Sequence, residues 1–228
     1  YGPNNFYPNP IWTPDGKRVT YNTDQGMMSS ARVFWKSADG IGPEEQLTSG
    51  EHDQAANSWS PDGKELLFTE WHPVRGGDIW VFSLQDRQSR PVVQTPFHET
   101  AAAFSPDGRW IAYHSNESGR QEVYVQGYPA GRKWQVSTDG GAFAVWAPDG
   151  SELFYLSANR VMSARLRLKP GFSVEKPTKL FEGRYEQSFV IAPDGRRFLM
   201  LKGAEPDLAP TRLNVVLNWL EELKQRAR

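Results

Sequence analysis

Two short polar segments carry the histidine and carboxylate side chains that are best spaced to do chemistry. They are Glu51-His52-Asp53-Gln54 and Phe97-His98-Glu99-Thr100. Each histidine lies six or seven residues before an aromatic residue, Trp59 in the first case and Phe104 in the second. Imidazole and carboxylate groups are the ligands that divalent metal ions such as zinc accept in proteins, and they also polarise bound ligands.

Five side chains therefore form the candidate binding site: His52, Asp53, His98, Glu99 and the more distant Glu186. We favour a ligand- or partner-binding role for them over a metal or catalytic one. One reason is that the matching segment later in the chain, Asp139-Gly140-Gly141, has no imidazole. Another is that the two remaining histidines, His72 and His114, are expected in different parts of their repeat units.

The elements that must position these segments are marked by a repeated Pro-Asp-Gly tripeptide. Its aspartates are separated by 47, 45, 42 and 45 residues and are Asp15, Asp62, Asp107, Asp149 and Asp194. Proline and aspartate suit the middle of a tight turn, and glycine accepts the left-handed conformation that follows. Five copies at this period predict one four-stranded antiparallel β-propeller blade per copy. The aspartates lack the dense acidic neighbours of a calcium loop, so the motif indicates turns alone.

The repeats divide a single predicted β-propeller domain, residues 1–228, into five units. The blades cover roughly 6–50, 51–96, 97–139, 140–183 and 184–228. Five units indicate either a five-bladed ring or a fragment of a larger ring. The fifth is incomplete, with a predicted third strand at 212–217, and residues 219–226 read as a short C-terminal helix whose acids precede its bases. Equivalent loops of adjacent blades meet at one mouth of the central channel, where we expect the two histidine segments to converge.

The composition excludes several classes of function. A net charge of −1 argues against a general nucleic-acid or anionic-membrane surface. The absence of cysteine removes disulfides, thiolate metal sites and a cysteine nucleophile, but it does not choose a compartment. No apolar run approaches the 18 or so residues of a membrane span. The sequence also lacks a Gly-x-Ser-x-Gly elbow and the kinase signatures, so neither a serine peptidase nor a kinase active site is predicted.

Aromatic residues outside the inner strands give a further candidate surface. They are Trp35, Trp71, Trp80, Tyr128 and Trp134. Packing between blades is the favoured use of these side chains. A contiguous exposed set would instead mark a partner site.

The repeat itself, aromatic-Ser-Pro-Asp-Gly-Lys/Arg followed by an apolar strand and a segment such as Asp78-Ile79-Trp80-Val81, resembles the WD40-like PD40 or TolB-type β-propeller family. From Val123 onward, segments such as Lys133-Trp134-Gln135-Val136 are similar to the C-terminal propellers of bacterial Ser/Thr kinases and transcriptional regulators. The resemblance implies a propeller that serves as an interaction or sensing module. It also favours a periplasmic or extracytoplasmic location.

Together these features predict a non-enzymatic module, without a cofactor, that binds a protein, peptide or small ligand at the propeller face. The alternative is a metal-dependent lyase or hydrolase at the channel mouth, because the histidine segments faintly resemble those of PD40-repeat oligogalacturonate lyases. We expect a protein or peptide partner, no nucleic acid and no membrane insertion. Homo-oligomers are expected if the ring is incomplete.

Overall fold

The computed structural model describes residues 10–24, 30–168 and 171–202, and this part of the chain consists of β-strands and the turns between them. Its strands form three four-stranded sheets, one five-stranded sheet and one two-stranded sheet. All the strand pairs are antiparallel. The all-β prediction of antiparallel blades is therefore confirmed. Within the described ranges the structure has no helix long and apolar enough to cross a membrane.

The sheets follow one another along the chain, and each is called a blade below. Blade one contains β1 (Ile11–Trp12), β2 (Arg18–Thr23), β3 (Arg32–Ser37) and β4 (Glu45–Gln46). Blade two contains β5 (Asp53–Trp59), β6 (Glu65–His72), β7 (Gly76–Ser83) and β8 (Gln88–Val93). Blade three contains β9 (Glu99–Phe104), β10 (Trp110–Ser115), β11 (Glu122–Gly127) and β12 (Lys133–Gln135). Blade four contains β13 (Ala142–Trp146), β14 (Glu152–Ser157), β15 (Arg160–Arg167), β16 (Ser173–Val174) and β17 (Thr178–Glu182). Blade five contains β18 (Tyr185–Ile191) and β19 (Phe198–Lys202).

The Pro-Asp-Gly segments form the turns that lead from the first strand of each blade to the second. Asp62 shows the pattern, since its Oδ1 accepts hydrogen bonds from Ser60 Oγ at 2.7 Å and from the Lys64 amide at 3.1 Å. The bond from the amide two residues on recurs at all five aspartates. Gly63 has a φ of 72°, in the left-handed region that glycine tolerates best. The predicted turns are present.

The same turns also stack on one another from blade to blade. A Cβ atom on Gly63 would lie 3.7 Å from Pro14 Cδ of the previous turn, and one on Gly108 would lie 3.4 Å from Pro61 Cδ. The glycine of each turn thus faces the proline of the turn before it. The repeat therefore encodes contacts between blades as well as the hairpin within each blade.

Both faces of a middle blade are covered, which explains the continuous apolar run in its second strand. Along β10, Ile111 and Tyr113 join the core between blades two and three, while Ala112 joins the core between blades three and four. All three side chains are at most 1% exposed. Inner-strand tryptophans add hydrogen bonds across the junctions, as Trp59 Nε1 donates to Thr20 Oγ1 at 2.9 Å.

Blade five has one covered face and one exposed face. Phe189 and Phe198 pack against blade four, whereas Val190 and Leu199 are 54% and 69% exposed. The predicted strand at 212–217 and the predicted helix at 219–226 lie outside the described residues. The single domain, its blade boundaries and the closure of the ring stay predictions.

Candidate functional site

Four of the predicted site residues lie where the chain enters the inner strands of blades two and three: His52, Asp53, His98 and Glu99. Two of the four form a hydrogen bond to a neighbouring blade. Asp53 Oδ1 accepts a hydrogen bond from the Ala31 amide of blade one at 2.8 Å. His98 Nδ1 accepts one from the Gly77 amide of blade two at 2.7 Å. The side chain of Glu186 lies outside the described residues. A binding role for these residues stays a prediction.

Glu99 is a buried carboxylate at the junction between blades two and three. It is 1% exposed, and its Oε1 accepts hydrogen bonds from the hydroxyls of Thr95 and Ser115, while its Oε2 is buried without a partner in the described structure. Burial raises the pKa of Glu99, and the nearby charge of Asp78 raises that pKa further. Asp78 is itself 1% exposed, and its Oδ1 is a second buried oxygen without a partner among the described residues.

The structure brings two of the histidines together. His72 is the last residue of β6, whereas His52 precedes β5, and the antiparallel register of the two strands places their ring centroids 4.9 Å apart. His114 is also close to a predicted residue, since burial first and the charge of His98 second lower the pKa of His114 to about 4. Its Nδ1 accepts from the Phe143 amide at 3.3 Å, which leaves Nε2 to donate to Thr100. His114 is thus a neutral residue of the core.

These histidines and carboxylates do not form a metal-binding cluster in the part of the chain that the structure describes. Among those residues, no group of three or more histidine, aspartate or glutamate side chains is placed to hold a metal ion. His72 Nδ1 is used locally, because it accepts a hydrogen bond from the Val74 amide at 3.1 Å. The alternative of a metal-dependent lyase or hydrolase at the channel mouth stays a hypothesis.

A cleft between blades one and two is lined in part by the predicted site residue His52. We call it the interblade cleft, and its volume is about 470 Å³. Its floor is formed by the partly exposed ring of Trp80, which lies over the buried rings of Phe68 and Phe82, 0% and 1% exposed. Phe68 and Trp80 are stacked, with ring centroids 6.4 Å apart and an interplanar angle of 27°. Volumes of this order are typical of small-ligand and side-chain pockets.

One end of the cleft, the histidine end, is lined by Glu51, His52, Gln54 and Glu70. Gln54 is 1% exposed, and its Nε2 donates to Glu70 Oε2 at 2.7 Å. Gln54 Oε1 accepts from Thr48 Oγ1 at 2.6 Å, which ties this end to blade one. The Glu70 carboxylate is therefore held in place by a buried amide, while Glu51 is exposed on the entering loop.

The opposite end, the arginine end, is lined by Arg87, Gln88 and Ser89. Arg87 forms an ion pair with Glu45 of blade one at 2.7 Å. Its Cζ lies 5.4 Å from the centroid of the Phe82 ring. In this way a guanidinium is already held between a carboxylate and an aromatic ring of the cleft.

The other aromatic candidates mainly fill space between and within blades. Trp35 is 7% exposed and stacks on Trp59 of blade two at 5.7 Å. Trp134 stacks on Phe172 at 4.5 Å, and the Tyr128 hydroxyl donates to Glu65 of blade two at 2.8 Å. Trp71 is 38% exposed. The packing interpretation is confirmed for Trp35, Tyr128 and Trp134, whereas Trp80 faces the interblade cleft.

Sequence reasoning singled out His52 and Trp80 separately and missed the cleft that joins them. Phe68 and Phe82 read as ordinary core residues, because both lie in apolar strands. The available signal was the short outer strand of blade one, where Gly40-Ile41-Gly42-Pro43 precedes Glu45 and leaves room for only a few strand residues.

Comparison with known proteins identifies the fold family. The family model for the TolB beta propeller domain, PD40, matches residues 4–215. The chain belongs to this TolB-type propeller family. This family is one of protein-interaction modules.

Curated relatives match over shorter stretches. The Tol-Pal system protein TolB of Anaeromyxobacter sp. (strain K) is 33% identical over 70 residues, which cover 30% of this chain and 15% of that protein. The uncharacterized peptidase YuxL of Bacillus subtilis (strain 168) is 27% identical over 105 residues, which cover 45% of this chain and 16% of that protein. The chain thus aligns with less than a fifth of the length of either relative.

A solved structure shows the same fold over most of the chain. The crystal structure of TolB from Acinetobacter baumannii superposes with a TM-score of 0.65 and 22% sequence identity. The superposition covers 83% of this chain and 47% of that one. At this level of identity the likeness concerns the TolB-type propeller scaffold, and function depends on the sites that each chain carries.

Proposed function

We propose that this TolB-type propeller is a non-enzymatic recognition module that binds a protein or peptide in the interblade cleft. The observation that carries the proposal is the partly exposed ring of Trp80 in a cleft between blades one and two, backed by the buried rings of Phe68 and Phe82. Aromatic side chains in a concave site, with a few polar groups at the rim, are typical of places where proteins bind partners.

The surroundings of the floor support the same function. Glu51 and His52 lie on the loop that enters β5, so two adaptable polar side chains border the aromatic surface. Asp53, one residue on, anchors that loop to the Ala31 amide. A recognition loop fixed to a rigid scaffold is the usual arrangement of binding sites on propellers and other repeat folds.

The test is selection of binders from a displayed library of random peptides, followed by measurement of their binding to a variant with a filled cleft. Ser89 pairs with Phe82 in the sheet and so shares its face, which makes Ser89→Trp a substitution that occupies the cleft. Arg132→Trp places the same side chain on an exposed turn of blade three and is the matched control.

The proposal predicts that selected peptides bind the wild-type chain and Arg132→Trp equally and lose at least about tenfold in affinity for Ser89→Trp. Melting curves of both variants establish that each is folded. Peptides that bind Ser89→Trp as tightly as the wild-type chain would overturn the proposal, and so would a library that yields no binder at all.

A further inference from the structure

We infer that the interblade cleft selects a basic residue, arginine or lysine, and holds its cationic group at the histidine end. This inference rests on the proposed function, because it specifies the chemistry of the peptide that the cleft binds. Its starting point is the arginine end, where the protein already places one of its own cations in the cleft.

At the arginine end, a carboxylate and an aromatic ring together hold a guanidinium. Arg87 Nη2 lies 2.7 Å from Glu45 Oε1, and the Cζ of Arg87 lies 5.4 Å from the centroid of the Phe82 ring. Guanidinium groups bind in this way because they pair with carboxylates and are also attracted to the face of an aromatic ring.

The histidine end presents the same two components for an external cation. Glu70 lies two residue pairs along the β6–β7 register from the stacked Phe68 and Trp80, on the same face of the sheet, and its carboxylate is fixed by the amide of Gln54. Glu51 also lines this end of the cleft. The loop that carries it is close to Glu70, because a Cβ atom added to the adjacent Gly50 would lie 3.1 Å from Glu70 Oε2. Two carboxylates and the partly exposed ring of Trp80 thus line the same cleft.

Two arginine side chains lie near the carboxylates of this cleft, and one of them, Arg32, is close to the histidine end. Arg87 is the only lysine or arginine among the cleft-lining residues that the structure describes, and it is paired with Glu45. Arg32 lies under the entering loop, where its guanidinium donates to the backbone carbonyls of Gly50 and His52. No ion pair is formed by Glu51 or Glu70 within the described ranges, so their charges are available to a ligand.

An arginine or lysine side chain has an apolar stem and a charged head, which match the ring and the carboxylates that line this cleft. The aliphatic part of an arginine or lysine would cover Trp80, and its charged head would meet Glu70 and Glu51. Long basic side chains bind in this manner, with an apolar stem against rings and a charged end at a polar rim. A glutamate in the same position would bring a third carboxylate to the histidine end and is expected to be rejected.

The experiment uses three fluorescein-labelled hexapeptides of glycine and serine that differ only at one central residue, which is arginine, citrulline or glutamate. Citrulline keeps the shape of arginine and removes its charge. Fluorescence anisotropy measures binding to the wild-type chain and to Glu70→Gln, which keeps an oxygen to accept the Gln54 bond, and to Ser89→Trp.

We expect the arginine peptide to bind about tenfold tighter than the citrulline peptide, to lose that preference in Glu70→Gln and to weaken as salt is raised. Equal affinity for arginine and citrulline, or failure of the arginine peptide to bind, overturns the inference. If the arginine preference is absent but Ser89→Trp still weakens the binding of the library peptides, the cleft binds peptides without selecting a cation.

Discussion

The junction between blades one and two is open, whereas the junction between blades two and three is closed, although both are built on the same repeat. At the closed junction Tyr124 is 2% exposed and stacks on Tyr113 at 6.0 Å. At the open junction the corresponding Trp80 is only partly buried and faces the interblade cleft. One scaffold thus yields a packed core in one place and an open cleft in the next.

The outer strand of the preceding blade accounts for much of this difference. In blade two, β8 runs for six residues, and Val92 and Val93 pack into the core that contains Tyr113 and Tyr124. In blade one, β4 has only two residues, and from this outer segment Leu47 joins the core that contains Phe68 and Phe82. A propeller can therefore form a cleft between two blades by shortening one outer strand.

The largest expected effect compares truncation of the two equivalent rings. Tyr124→Ala should lower the free energy of unfolding by about 3 kcal/mol or more, because it empties a fully packed position. Trp80→Ala should cost less, about 1–2 kcal/mol, because one side of the ring already faces the cleft. Urea denaturation measures both values. Equal losses would contradict the distinction between an open and a closed junction.

Position 99 provides a pH-dependent test of the closed junction. Burial raises the pKa of Glu99 above its usual 4.5, so the folded chain holds this proton more tightly than the unfolded chain does. The stabilisation from Glu99 is complete below the unfolded pKa and is lost as the pH rises through the higher folded pKa. Glu99→Gln should therefore be more stable than the wild-type chain at pH 8, by on the order of 1 kcal/mol, and the advantage should shrink by pH 5.

The reverse substitution at the open junction is the matched control. Gln54 occupies the equivalent position and donates to Glu70 Oε2. Gln54→Glu would place two carboxylates together and should destabilise the chain more at pH 8 than at pH 5. Thermal melts at both pH values measure the two variants, and a pH-independent effect of either one would contradict this explanation.

A smaller effect distinguishes two buried indole groups. Trp59 Nε1 donates to Thr20 Oγ1, so Trp59→Phe should cost about 1–2 kcal/mol and leave a buried hydroxyl without that donor. Trp80 Nε1 is buried without an acceptor in the described structure, so Trp80→Phe loses no hydrogen bond and should cost less than Trp59→Phe. Chemical denaturation of the two variants checks the order, and a reversed order would contradict it.

The smallest effect is expected at the mouth of the cleft. Arg87 and Glu45 form an ion pair whose side chains are 46% and 50% exposed. Arg87→Gln should lower the free energy of unfolding by less than about 1 kcal/mol, since exposed pairs are screened by water and salt. A larger loss in a melting experiment would show that this pair holds the two blades together.

The sequence predicts the regular parts of this fold well because their physical signals are local. The turn at Asp62 follows from the conformational preferences of Pro61 and Gly63, and its period fixes the blade as the repeating unit. The run around Tyr113 predicts a strand covered on both faces, and the structure covers both faces.

The candidate site is less predictable because it depends on register and on missing residues. His72 lies beside His52 because β5 and β6 pair with Asp53 opposite Trp71. The residue types in the two strands do not indicate this register. The interblade cleft depends on how far β4 extends, and strand length is among the least certain features of a sequence-based prediction. The aromatic floor depends on how the two blades lie against each other.

The most direct test of the interblade cleft is the nitrogen–proton NMR spectrum of the tryptophan indoles during titration with a selected peptide. Trp80→Phe identifies the Trp80 signal by its loss, and Trp134, packed on Phe172 in another blade, is the internal control. We predict that the Trp80 signal shifts in proportion to the peptide bound and that the Trp134 signal stays unchanged. A peptide that binds while leaving the Trp80 signal unmoved would contradict the assignment of the cleft as the recognition site.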